Sequence, residues 1–257
     1  MHGTSQRTGF LPVFSGFRRT IWDKLFRHDG EPIYTYDIVT GTRRTVINGE
    51  AGGFYGSHAF RMPHAELFRG KLWKGETVYY EVVGYTDTGV PIMATGNTPK
   101  EYVKEYGKKM EFSYSCESPT SDIYVYRMTM TNPDGEVVEY TPDFMRYRCD
   151  LMGVDYVPLF WKGRIPENPA SANDDTISAG EWVLNKVERC FDGPDPIDPR
   201  HTREGCVVRI VNRPNFKALK HKNFCFKVVE GLVKETADAP DMEEADGLDT
   251  GAEDSEV

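Results

Sequence analysis

The stretch HTREGCVVRIVNRPNFKALKHKNFCFKVV, residues 201–229, sets acidic and basic residues at the ends of two apolar runs. Side chains of a strand alternate sides, so Glu204, Cys206, Val208 and Ile210 share one face of the first run, with Glu204 at its mouth. In the second run Lys220 and Lys222 share a face with Phe224, Phe226 and Val228, which places two ammonium groups where the row of core side chains ends. Arg213-Pro214-Asn215 between the runs is turn chemistry, because proline fixes φ and asparagine tolerates left-handed backbone. Pattern alone therefore predicts a hairpin over 204–228 with charged tips, a solvated structure that needs no function to explain it.

Around that hairpin lies a chain of 257 residues, one large or two small domains, with enough apolar content for a core. Its net charge of −9 argues against a nucleic-acid partner only at first sight. Residues 235–257 hold ten carboxylates and no base, so removing them from −9 leaves a body of +1. The reading is a folded body over 1–234 and an acidic, disordered tail over 235–257, poor in large apolar residues. Five scattered cysteines without a C-x-x-C pair, and no signal or membrane-length segment, predict a reduced, intracellular (cytoplasmic) protein without a structural zinc or a membrane partner.

Upstream, residues 10–17 read as an apolar strand. Residues 32–48 read as a hairpin around Thr40-Gly41, with Tyr34, Tyr36 and Ile38 alternating before the turn, Val46 after it, and Arg43 and Arg44 directly following. Residues 49–56 are too glycine-rich for regular structure and lack a phosphate-binding-loop pattern. Residues 78–85, VYYEVVGY, form an apolar strand broken by Glu81, a carboxylate that needs a partner or a ligand in such a run. Thr98-Pro99-Lys100-Glu101 predicts a capping box opening a helix to about Met110, with Tyr102, Val103 and Tyr106 on one side. Residues 122–131 read as a strand, turned by Asn132-Pro133-Asp134-Gly135 into a partner over 136–140. Thr141-Pro142 caps a helix ending near Gly153, 158–165 reads as a strand holding Trp161 and Lys162, and 166–176 as a surface loop. Ser178-Ala179-Gly180-Glu181 opens a further helix reaching Cys190, and a proline-rich connector over 193–199 leads to Glu204.

Glu204-Gly205-Cys206-Val207 with Lys220-His221-Lys222 resembles the E-G-x-V and K-x-K motifs of the covalent nucleotidyltransferases, the superfamily of ATP-dependent DNA and RNA ligases and mRNA capping enzymes. At the start of the chain, His2-Gly3-Thr4-Ser5 resembles the RNA-ligase form of the lysine motif, K-x-H-G-T-S. In that register the nucleophilic lysine directly precedes Met1, so either the start was assigned too late or the chain has lost its nucleophile. The run 78–85 with its Glu81 resembles the Y-G-E or Y-x-E motif, and the strand 122–131 resembles the one whose aromatic residue stacks on adenine. Tyr126 is the choice there, with Arg127 beside it and Tyr124 as the rival on the same face.

The resemblance spans the folded body and implies an α+β fold, a ligase adenylyltransferase (ATP-grasp-like) domain of antiparallel sheets flanked by helices with a nucleotide cleft. It implies an ATP-dependent RNA ligase acting on RNA ends, expected to be a monomer. Lysine would attack the α-phosphate of ATP, AMP would pass to an RNA 5′-phosphate, and a 3′-hydroxyl would expel it. The roles implied are nucleotide contacts for His2, Gly3, Thr4, Arg43, Arg44 and Tyr126, catalytic charge neutralisation for Lys220 and Lys222, and Mg²⁺ near Glu81 and Glu204. A nucleotide- or RNA-end-binding pseudoenzyme, or a DNA ligase or capping-type enzyme, are the alternatives.

Overall fold

The computed structural model describes residues 1–26, 28–93, 96–171, 175–211 and 217–231. In chain order the first elements are β1 (Thr4–Arg18), α1 (Ile21–Phe26), β2 (Glu31–Gly41), α2 (Met62–Glu66) and β3 (Glu76–Gly84). They are followed by β4 (Gly96–Asn97), α3 (Val103–Tyr106), β5 (Lys109–Met110), β6 (Ser121–Thr131), β7 (Val137–Glu139) and α4 (Pro142–Met152). The last are α5 (Ala179–Val187), β8 (Gly205–Ile210), β9 (Lys217–Lys222) and α6 (Phe224–Val229). The ladders between these strands are antiparallel, which makes the described residues an α+β structure. The chain divides into two compact units. A sheet unit comprises Gly3–Ile92 and Cys116–Val157, and a hairpin unit comprises Met1–His2, Met93–Ser115 and the described residues from Pro158 onward.

In the sheet unit the strands run β2-β1-β3-β6-β7. β3 lies at the centre because its Val78, Tyr80 and Val82, all fully buried, form one apolar face. The other face carries Tyr79 and Glu81, half-buried, so the strand divides the sheet into a core side and a polar side. Glu76, at the first position of β3, is completely buried and accepts from Nε and Nη2 of Arg148 on α4, at 2.8 and 2.7 Å, and from the Tyr140 hydroxyl at 3.1 Å. α4 begins and ends as its sequence demands: Thr141 caps its N-terminus and Gly153 takes the left-handed position at its end. The turn at 132–135 delivers β6 into β7.

β6 departs from regular alternation. Its register on β3 steps from Arg127 opposite Tyr79 to Val125 opposite Tyr80, so Tyr126 is the extra residue of a β-bulge. The bulge shifts the phase of the strand and brings Tyr124, Tyr126 and Arg127 to the polar side, where the Arg127 guanidinium lies 4.5 Å from the Tyr79 ring centroid.

Four expected elements of the hairpin unit differ. The run expected as a strand to Val228 stops at Lys222. Asn223 caps a helix through its side chain, so Phe224, Phe226 and Val228 leave the strand face and only Phe226 is buried among them. The helix expected to reach Met110 is a 3₁₀ turn over Lys100–Tyr102 and one α turn, stopped at Gly107. Its capping box is not formed, because the Thr98 hydroxyl is buried without a partner, and Met110 pairs in β5 instead. Residues 158–165 form no ladder; the Trp161 ring folds over Gly163 and packs on Trp182 of α5 at 5.5 Å. α5 has its Ser178–Glu181 capping box but ends at Val187, short of Cys190. The turn at 213–215 and the tail at 235–257 lie outside the described residues. No disulfide joins the five cysteines, and no helix among the described residues is long and apolar enough to cross a membrane.

Candidate functional site

In the hairpin unit the antiparallel pairing of β8 with β9 places Gly205 opposite Lys222 and Val207 opposite Lys220. Gly205 has φ +142°, and a Cβ there would stand 2.0 Å from the His221 carbonyl, so glycine is required after Glu204 for β9 to come this close. Glu204, immediately before the strand, is 6% exposed and receives two nitrogens: Lys220 Nζ on Oε1 and the main-chain nitrogen of Met1 on Oε2 at 3.1 Å. Burial by itself would raise its pKa, but the positive charges of Met1 and Lys220 outweigh that and bring it down to about 2. Lys222 pairs instead with Glu230 at 2.6 Å and lies 5.7 Å from the Phe226 ring centroid. Each cation of the K-x-K string thus has its own carboxylate.

His2 completes this cluster. Its ring meets Phe112 and Phe226 edge-on at 5.0 and 4.7 Å, and its backbone nitrogen donates to the Tyr114 hydroxyl. Burial holds the imidazole neutral, lowering its pKa to about 3 against the pull of Glu204. Asn223, fully buried, ties the parts together. Its side chain donates to Thr202 Oγ1 at 2.8 Å and the Arg203 carbonyl at 2.7 Å, and accepts from the Phe226 nitrogen.

The sheet unit gathers the other expected residues. Ser5 lies opposite Glu81 in the β1–β3 register, Glu81 lies opposite Tyr124 in the β3–β6 register, and the Ser5 and Tyr126 hydroxyls are 3.1 Å apart. These side chains share the polar side of the sheet. Burial, then the charge of Glu81, pushes the Tyr126 phenol up. Gly3 is crowded by β3, since a Cβ there would meet the Val82 carbonyl at 2.6 Å. Its lack of a side chain serves strand packing.

Sequence reasoning missed Arg61. It is 3% exposed, donates to the Ser5 carbonyl at 3.1 Å and to Thr4 Oγ1, and so clamps the start of β1. Its carbonyl accepts from Gln6 Nε2, part of a buried polar network with Thr40, Thr8 and Tyr80. No local pattern marks Arg61, because its partners are more than fifty residues away. Arg43 and Arg44, by contrast, are exposed in the turn closed by Thr42 N donating to the Thr45 carbonyl. Missed too was Glu230, since a strand continuing to Val228 cannot return a carboxylate to Lys222.

As arranged, Glu204 accepts from Lys220 Nζ and from the Met1 nitrogen. No group of three His, Cys, Asp or Glu among the described residues could hold a metal ion. The arrangement offers an anion two lysines, of which Lys220 is 46% exposed, beside a buried histidine. No protein-family model matches the chain, and no curated protein matches it.

Proposed function

We propose that the protein is an ATP-dependent RNA ligase with a ligase-type adenylyltransferase fold and nucleotide cleft, joining RNA 5′-phosphate and 3′-hydroxyl ends through adenylylated intermediates. The observation that carries this reading is the convergence of Met1-His2, Glu204 and Lys220, segments some two hundred residues apart that belong to three of the quoted motifs. The meeting of Ser5, Glu81 and Tyr126 on the polar side of the sheet supports it independently.

In this reading Tyr126 stacks on the adenine of AMP, while Thr4, Arg43 and Arg44 meet ribose or phosphate oxygens. Lys220 and Lys222 exchange their carboxylates for the phosphates, matching the charge that develops as the 3′-hydroxyl attacks and AMP departs. Magnesium enters with the phosphates of ATP, and no step is assigned to it. In this reading the enzyme-AMP bond forms on a lysine two residues before His2, and the residues named above serve the last step, the sealing of adenylylated RNA.

The test is a sealing assay on preadenylylated RNA with the intact chain and with Lys222→Ala. Sealing that falls on the order of 10²-fold in the variant is expected. Equal sealing by both removes Lys222 from the mechanism. A chain with lysine added directly before Met1 is expected to take up AMP from ATP, and failure to do so counts against the family reading. A second reading, a protein that binds RNA ends without sealing them, is favoured by the carboxylates that already neutralise both lysines, and absent sealing in either form selects it.

A further inference from the structure

The sheet unit carries an exposed apolar surface at one end of the β1–β2 hairpin. Beyond Leu11 most residues of the β1–β2 hairpin are exposed, and α1 joins its two strands. A register shift between Phe14 and Gly16 puts Phe14 and Phe17 on one face, ring centroids 5.0 Å apart, with Tyr34 opposite Phe14 in the ladder. On α1, Thr20 and Asp23 cap each other's backbone, so the short helix is deliberately begun, yet none of its residues is buried. Ile21 is 83% exposed, Trp22 and Leu25 68% and Phe26 62%.

We propose that this hairpin end and α1 form the face on which a second copy of the chain docks. The argument is first one of area. At the usual 150–250 Å² per large side chain, the exposed parts of these seven residues sum to roughly 800 Å². That equals the share each partner contributes to a standard interface, about 800 Å².

Charge then selects the occupant. Among the described residues of 13–36, Arg18, Arg19 and Lys24 stand against Asp23, Asp29 and Glu31, and Arg19 pairs with Asp29 at 3.5 Å. A nearly neutral patch meets its own copy without repulsion, and a twofold contact needs only such a self-compatible surface. It gives a polyanion or an anionic lipid surface little to hold. The aliphatic Ile21 and Leu25, among its most exposed members, stack on no base. The proposed dimer stands against the sequence-based expectation of a monomer.

Sedimentation velocity on the full chain, at concentrations up to about 100 µM, tests this. The expected result is a concentration-dependent dimer whose dissociation constant rises by about 10²-fold or more in Trp22→Glu/Phe26→Glu. Both side chains are exposed, so circular dichroism is expected to be unchanged in the variant, which separates lost docking from lost folding. A chain that stays monomeric, or a dimer that the double substitution leaves intact, overturns the proposal. So does a monomer that pellets with phosphatidylserine vesicles, or binds oligouridylate, in a manner that depends on Trp22 and Phe26.

Discussion

The backbone amide of Asn223 donates to the carbonyl of Glu204 at 3.0 Å, joining the entrance of β8 to the first residue after β9. The side chain of the same asparagine caps α6 and satisfies the Arg203 carbonyl, so one buried residue ties the hairpin, the helix and the segment carrying Glu204 together. Asn223→Ala removes the cap, worth about 1 kcal/mol, and strands buried polar partners at about 1–3 kcal/mol. Urea unfolding is expected to show a loss near 3 kcal/mol, and a loss well under 1 kcal/mol would deny Asn223 this role.

The Glu76–Arg148 pair in the sheet unit is almost wholly buried, at 0% and 4% exposure. Glu76→Gln leaves the guanidinium without its counter-charge in a dry site and is expected to cost roughly 3–5 kcal/mol. Replacing both, as Glu76→Leu with Arg148→Met, is expected to recover much of that loss. Denaturant titration of the single and double variants checks it, and a double variant as unstable as the sum of the singles refutes the pairing energy.

Acid is expected to unfold the protein in two stages. Burial lowers the pKa of His2 to about 3 and of His64 to about 4, both below the ordinary 6.5. The unfolded chain therefore binds protons below pH 6.5 that the folded chain refuses, and stability falls by up to about 1.4 kcal/mol per pH unit per histidine from there downward. Glu204 and Asp198, each brought to about 2, contribute stability that is present above their ordinary values near 4 and lost as pH falls towards 2. Thermal melts from pH 7.5 to 4 measure the first stage, and in His64→Gln its slope is expected to shrink. An unchanged slope contradicts the assignment.

Arg61→Lys keeps a positive charge but not the planar fork that reaches Thr4 and the Ser5 carbonyl together. A loss of about 1–3 kcal/mol is expected. Hydrogen exchange should accelerate at residues 4–6 ahead of the rest of β1. Uniform exchange along the strand would mean that Arg61 does not clamp its start.

Some of this architecture was legible in the residues because its causes are local. β3 and β6 announce themselves by β-branched and aromatic runs, α4 by Thr141-Pro142 and Gly153, and α5 by the reciprocal Ser178 and Glu181. The clustering of Glu204 with Lys220 follows from a hairpin whose alternation puts them near one end. Where α6 begins was not legible, because Phe224, Phe226 and Val228 alternate as a strand would. The choice falls to Asn223, whose partners Thr202 and Arg203 sit some twenty residues earlier. Nor could alternation foresee the bulge at Tyr126, which needs β3 alongside, or Arg61 on Thr4, or Arg148 on Glu76. Propensity and capping act over a few residues and are written in the chain locally. Buried charges and bulges are settled by which distant groups arrive to satisfy them, and only the tertiary structure decides that.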